Sequence, residues 1–239
     1  MEAIVLAGGF GTRLKDVVYD VPKPMAPMDE QGTPFLACVL EDLFRQGIGR
    51  VVLSVGYMRD AVENYFGSRY RNMPLVYSYE EQPLGTGGAV KQALAYCEND
   101  DVFVLNGDTF FAVDLEKMQC FHREQCADVT LAVRAMQNFD RYGTLVFNGA
   151  RICSFQEKQP MQSGWINGGI YCLRHDALQS ITKKIFSLQK DFLESHVEQL
   201  RLCAFPSAGY FIDIGIPEDY YRARKDWTRL WTGVSGSGV

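Results

Sequence analysis

The chain has 239 residues, 47% of them hydrophobic, which is enough for one well-buried core and too few for two large domains. Its formal net charge of −5 provides no basic field for nucleic acid or an anionic membrane, so an anionic ligand must be met by a local cluster of cations. No run approaches the roughly 20 apolar residues that span a bilayer. The N-terminus reaches glycines at once and does not read as a secretory signal. The seven cysteines stand singly with no Cys-x-x-Cys pair, so they are expected to be buried thiols of a cytoplasmic protein.

The first half alternates strand and helix. "EAIVLA" is a short apolar run that ends at glycines, as a buried parallel strand does. Thr33 and Pro34 predict a helix start, Phe35, Leu36, Val39, Leu40, Leu43 and Phe44 its apolar face, and Gly47 its stop. "RVVLSVG", "LVYSYE" and "DVFVLNGD" read as further strands, and "MRDAVENYFG" and "GGAVKQALAYC" as the helices between them. This order predicts an α/β fold, a doubly wound sheet with helices on both faces.

The second half reads differently. "DVTLAVRAM", "GTLVFN", "ARICSFQ" and "NGGIYCLR" are strand-like with turns between them, which predicts an antiparallel extension of the sheet. "SLQKDFLESHVEQL" is expected to be helical, "RLCAFPSAGYFIDIG" extended, and "PEDYYRARKDWTRLW" a closing helix with Pro217, Glu218 and Asp219 in its first turn. The last residues, 232–239, are small and read as a flexible tail. One domain over residues 1–231 follows, in two parts at about 1–112 and 113–231.

"AGGFGTRL" is the first stretch with chemistry in it. Gly9 and Gly11 begin a dinucleotide fingerprint, but Leu14 stands where its third glycine belongs, and the Gly-Lys-Ser/Thr ending of a Walker loop is absent. Gly8, Gly9 and Gly11 still let backbone N–H groups approach an anion, and Arg13 adds a planar fork suited to phosphate oxygens. An ordinary tight turn would use the same glycines. In "VPKPMAPM", Lys23 stands between two prolines that stiffen its setting, which suits a lysine aimed at a multiply charged ligand. Asp108 follows an apolar strand at the end where open α/β sheets bind ligands, and Asp213 lies inside the apolar "GYFIDIG". The three histidines, His122, His175 and His196, fall in polar segments and are expected at the surface.

In chain order, "LAGGFGTRL", "PKPM", "EQPLGTGGA", "LNGD" and "FIDIG" resemble the nucleotidyltransferases that make nucleoside-diphosphate sugars, over nearly the whole chain. "FDRYGTL", "INGGIY" and "YFIDIGIPEDYY" resemble the branch acting on D-glycero-α-D-manno-heptose 1-phosphate with GTP. The resemblance implies a Rossmann-like mixed sheet and a reaction in which a sugar 1-phosphate attacks the α-phosphorus of a nucleoside triphosphate and releases pyrophosphate. It implies Arg13 and Lys23 as catalytic cations, and Leu6, Gly8, Gly9, Gly11, Thr12, Gln82 and Gly87 as the nucleotide site. It further implies Tyr142, Gly143, Glu157, Lys158, Asn167 and Gly168 as the sugar-phosphate site, and Asp108 and Asp213 as ligands of Mg²⁺.

In one place the chain departs from the family. Many relatives follow Glu-Lys with proline, whereas "EKQP" puts Pro160 one residue later, which changes the local backbone path beside the sugar. The nucleobase stays open on the residues, because Gln82 donates and accepts and so fits guanine, uracil or thymine. Mannose 1-phosphate guanylyltransferase, a uridylyl or thymidylyl transferase, and a catalytically silent nucleotide-binding subunit are the alternatives. Silent relatives tend to lose the arginine, the lysine or an aspartate, and all are present here. A homo-oligomer stays open.

Overall fold

The computed structural model describes residues 1–9, 14, 17, 18 and 20–228. Its strands are β1 (Glu2–Leu6), β2 (Arg50–Val55), β3 (Arg69–Tyr70), β4 (Met73–Tyr79), β5 (Asp101–Asn106), β6 (Thr109–Phe111), β7 (Val129–Phe139), β8 (Thr144–Asn148), β9 (Arg151–Gln156), β10 (Met161–Arg174), β11 (Leu202–Pro206) and β12 (Phe211–Asp213). The helices are α1 (Phe35–Arg45), α2 (Arg59–Phe66), α3 (Gly85–Leu94), α4 (Leu115–Glu124) and α5 (Pro217–Lys225), joined by a 3₁₀ turn at Lys23–Met25 and a π-helical segment at Leu188–Glu194.

Ten strands form one sheet in the order β3-β4-β2-β1-β5-β10-β7-β11-β9-β8, and β12 pairs with β6 in a small second sheet. The stretch β4-β2-β1-β5 is parallel. Alternation along β1 shows why both faces need cover. Ala3 and Val5 pack into one core with residues of α1, α2, α4 and α5, while Ile4 packs into the other with α3 and the π-helical segment. The chain crosses from β1 to β2 on one side and places β5 on the other, so the β1/β5 boundary is the topological switch point of the sheet.

The far half is antiparallel at β10–β5, β10–β7 and β8–β9, as the strand-like runs predict. Strand β11 departs from that pattern and runs parallel to β7. Strand β8 also pairs with β10, through Trp165↔Leu145 and Ile166↔Thr144, so this end of the sheet curls back on itself. The α/β mixed sheet expected from the sequence is therefore present, with its extension joined to the parallel part through β10.

Some local expectations are corrected. Helix α1 begins after Pro34, one residue later than its sequence suggests, and ends beside Gly47 at φ 74°. "SLQKDFLESHVEQL" forms only the π-helical turns of Leu188–Glu194. Helix α4 was not anticipated: Asp114 caps it by accepting from the Lys117 N–H at 3.0 Å, and Leu115, Met118 and His122 at i, i+3 and i+7 are buried. That face takes His122 out of solvent, against the surface placement expected for it; His175 is exposed and His196 half-buried. Likewise Cys38, Cys97, Cys172 and Cys203 are buried, but Cys120, Cys126 and Cys153 are exposed, so buried thiols describe only part of the set.

Candidate active site

The proposed residues gather at the carboxyl ends of β1 and β5. Leu6 ends β1 opposite Asn106 of β5, and its carbonyl accepts from the Gly107 N–H at 2.9 Å, which sets Asp108 beside the glycine turn. A Cβ at Gly8 would stand 2.6 Å from Glu80 Oε1, so a side chain there would displace that carboxylate. Glu80 in turn accepts from Ser54 Oγ at 3.1 Å and the Leu84 N–H at 3.2 Å, which ties the glycine turn to the loop carrying the exposed Gln82. Gly9 follows, half of this turn open to solvent. Gly11, Thr12 and Arg13 lie outside the described residues, as does the expected tail at 232–239.

Lys23 opens its 3₁₀ turn between Pro22 and Pro24, and the Met25 N–H closes the turn on Pro22 O at 2.7 Å. Its ammonium contacts the Asp108 carboxylate directly and lies 3.9 Å from Asp213 Oδ1. The two aspartates meet because Asp213 of β12 pairs with Thr109 of β6 and the Ile214 N–H donates to Asp108 O at 3.1 Å. Lys23 is 10% exposed, Asp108 31% and Asp213 27%, so a ligand reaches the carboxylates more easily than the lysine.

The switch point opens into a cleft of about 190 Å³. Tyr142, Gly143, Glu157, Lys158, Asn167 and Gly168 all line it, together with Asp213. Strand β10 brings Asn167 and Gly168 there by a bulge: Asn167 faces Val133 and Tyr171 faces Leu131, so Gly168, Gly169 and Ile170 stand against the single residue Ala132 of β7. Asn167 Nδ2 donates to Tyr171 Oη at 2.8 Å and to Gln189 Oε1 at 3.2 Å, and its Oδ1 accepts from the Gly169 N–H at 3.0 Å. Burial, with the Asp213 charge adding to it, pushes the Tyr142 phenol up to about 12, so it is a neutral hydroxyl donor at physiological pH.

The two residues of the "EK" pair differ in their contacts. Glu157 Oε1 bridges to Lys190 Nζ at 3.1 Å across the mouth, while Lys158 makes no ion pair among the described residues. Pro160 sits in the irregular link just before β10 begins at Met161. Gln189, Lys190 and Glu194 also line the cleft, and the sequence reading missed them. Their signal was the polar spacing within "LQKDFLE", which an ordinary α-helix would have distributed differently.

Gly87 departs from the expected base contact. Its N–H donates to Phe186 O at 2.9 Å, and the Phe186 ring fills the space a side chain would need. A base contact from this amide would require that bond to be given up.

Among the described residues no cluster of three or more His, Cys, Asp or Glu side chains could hold a metal ion. Asp108 and Asp213 thus supply two hard oxygen donors, the number Mg²⁺ uses when phosphates and water complete its shell. Lys23 already offsets one of their two negative charges from within the protein.

The pattern described as nucleotidyl transferase matches residues 2–229. The chain belongs to this family. The transferase is 46% identical over 228 residues to D-glycero-α-D-manno-heptose 1-phosphate guanylyltransferase of Aneurinibacillus thermoaerophilus, covering 95% of this chain and 98% of that one. It is 44% identical over 223 residues to the protein of the same name from Campylobacter jejuni, covering 92% and 97%. The crystal structure of HddC from Yersinia pseudotuberculosis complexed with GMP-PN superposes with a TM-score of 0.84 at 36% identity, over 95% of this chain and 99% of that one. The resemblance drawn from the motifs is therefore borne out, and with it the Rossmann-like nucleotide-sugar transferase fold.

Proposed function

We propose that the transferase joins GTP and D-glycero-α-D-manno-heptose 1-phosphate to give the GDP-heptose and pyrophosphate. The observation that carries this reading is the near full-length identity of 46% and 44% to two guanylyltransferases of that specificity. Mannose-1-phosphate guanylyltransferases stand further off, at 32% identity for the Xenopus tropicalis catalytic subunit, of which the chain covers 62%.

An oxygen of the sugar phosphate attacks the α-phosphorus, a new P–O bond forms, and the bond to the β-phosphate oxygen breaks with its electrons leaving on pyrophosphate. The attacking oxygen is already ionised, so no general base is required, and positioning with charge neutralisation carries the rate. Gly8 and Gly9 admit the phosphates beside Leu6, and Lys23 meets their charge. Arg13 keeps the catalytic role, and Gly11 and Thr12 the nucleotide-binding role, that the family implies. Gln82 offers its amide to the base edge. Lys158, left unpaired among the described residues, meets the sugar phosphate, and Tyr142, Gly143, Glu157, Asn167 and Gly168 offer donors and acceptors to sugar hydroxyls. Asp108 and Asp213 would hold Mg²⁺, which when bound screens phosphate repulsion and orients the α-phosphate. A substrate such as GTP is consistent with a cytoplasmic site of action.

The decisive measurement is pyrophosphate release with four nucleoside triphosphates crossed against heptose, mannose and glucose 1-phosphates. GTP with heptose 1-phosphate is expected to give the highest kcat/KM. A higher value for mannose 1-phosphate, or for UTP or dTTP, would replace this reading.

A further inference from the structure

We infer that Thr86, which lies in the motif assigned to the nucleotide, is a positioning residue for the sugar-phosphate side of the cleft. The inference rests on the proposed reaction and adds a residue and a direction of action to it.

Residues 84–88 and 186–188 are stitched together. The Phe186 N–H donates to Leu84 O at 3.0 Å, and Phe186 O accepts from the Gly87 N–H at 2.9 Å and the Gly88 N–H at 3.3 Å. The fit is close enough to account for the glycines. A Cβ at Gly85 would stand 2.6 Å from Phe186 O, and one at Gly88 would collide with Lys184 O. Two amides of the first turn of α3, those of Gly87 and Gly88, are therefore spent on Phe186 rather than left to bind phosphate. "GTGG" is a docking groove for the chain that leads into the sugar side.

Among these bonds one is made by a side chain. The Leu188 N–H donates to Thr86 Oγ1 at 2.9 Å, and Leu188 is the first residue of the π-helical segment. Leu188 is 3% exposed, so its amide has little access to water if that acceptor is lost. The next residues of the same segment form the cleft wall. Gln189 accepts from Asn167 and donates to Glu194 Oε1 at 2.9 Å, and Lys190 bridges to Glu157. Single turns of π-helix are costly and recur where side chains must be aimed, which fits a segment whose first amide is pinned from outside. Thr86 thus helps fix where Gln189, Lys190 and Glu194 stand, beside the Ser187 cap whose Oγ accepts from the Lys190 N–H at 3.2 Å, and it acts on them through the Leu188 amide.

The test compares steady-state kinetics of the wild type, Thr86→Val and Thr86→Ser. Thr86→Val is expected to raise KM for the sugar 1-phosphate about five- to tenfold, the cost of one unsatisfied buried amide. KM for the nucleotide is expected to move less than about twofold on the same grounds, and Thr86→Ser to restore the wild-type value. A rise confined to the nucleotide KM, an equal rise in both, or no rescue by serine would overturn the inference. Should Thr86→Val fail to fold, amide hydrogen exchange on the wild type decides: sugar 1-phosphate alone must slow exchange at Leu188–Glu194 and also at Gly87 and Gly88. Protection of only one of the two segments would overturn it. If the wild type prefers another substrate pair, the same comparison is run with that pair, so a wrong substrate assignment does not count against Thr86.

Discussion

The Lys23 ammonium and the Asp108 carboxylate are in direct contact, although 85 residues separate them, and Asp213 lies 3.9 Å from the same ammonium. Two prolines hold the lysine and two strand ends hold the carboxylates, so the arrangement is built before any ligand arrives. Asp108→Asn and Asp213→Asn keep the shape and remove one charge each. Each is expected to lower Mg²⁺-dependent turnover by about 10²-fold or more, while circular dichroism stays unchanged. Near-normal pyrophosphate release by either variant would take that residue out of the metal role.

Lys158 has a cleaner expectation than its neighbour. Glu157 is already paired with Lys190, whereas Lys158 lines the cleft with no internal partner among the described residues. Lys158→Ala is expected to raise KM for the sugar 1-phosphate about tenfold or more, as loss of a charge-assisted contact does, with a small effect on KM for GTP. Initial-rate measurements with each substrate varied in turn separate the two. An effect on GTP alone would place the lysine on the nucleotide side.

His122 predicts how stability depends on pH. Burial lowers its pKa, against the opposing pull of Asp101. Its Nδ1 lies 2.9 Å from Thr130 Oγ1 and its Nε2 3.6 Å from Asp101 Oδ1, with Arg123 already bound to the other Asp101 oxygen. Below the ordinary histidine value the unfolded chain takes up a proton that the folded chain refuses. Stability therefore falls as pH drops through that window and is fully present above about pH 6.5. Thermal unfolding from about pH 5 to pH 8 should show this slope in the wild type and a shallower one in His122→Gln. Equal slopes would assign the acid sensitivity to other groups.

Strands β1, β2 and β5 were legible because each is buried on both faces, and a continuous apolar run such as "IVLA" has few other uses. The site residues could be named for a related reason: glycines, a proline-flanked lysine and an aspartate past a strand end are local features. What stayed hidden depends on distant contacts. Helix α4 carries a polar, charged sequence whose inward face is only Leu115, Met118 and His122. The π-helical wall of the cleft depends on Thr86, 102 residues away from the amide it holds, and no local pattern encodes that distance. Gly87 shows the converse, for a glycine that reads as a ligand contact also packs against Phe186 and donates to its carbonyl.

Strand β10 runs fourteen residues, pairing with β7 from Met161 to Leu173, with β5 from Ile170 to Arg174 and with β8 at Trp165 and Ile166. One continuous strand therefore carries the Asn167 bulge that lines the cleft and also flanks β5, the strand that precedes Asp108. Grafting the acceptor half of one relative onto the donor half of another would succeed only where the incoming β10 keeps its alignment on β5. In this architecture a change of sugar is easier to reach through side chains around the Asn167 bulge than through exchange of whole segments.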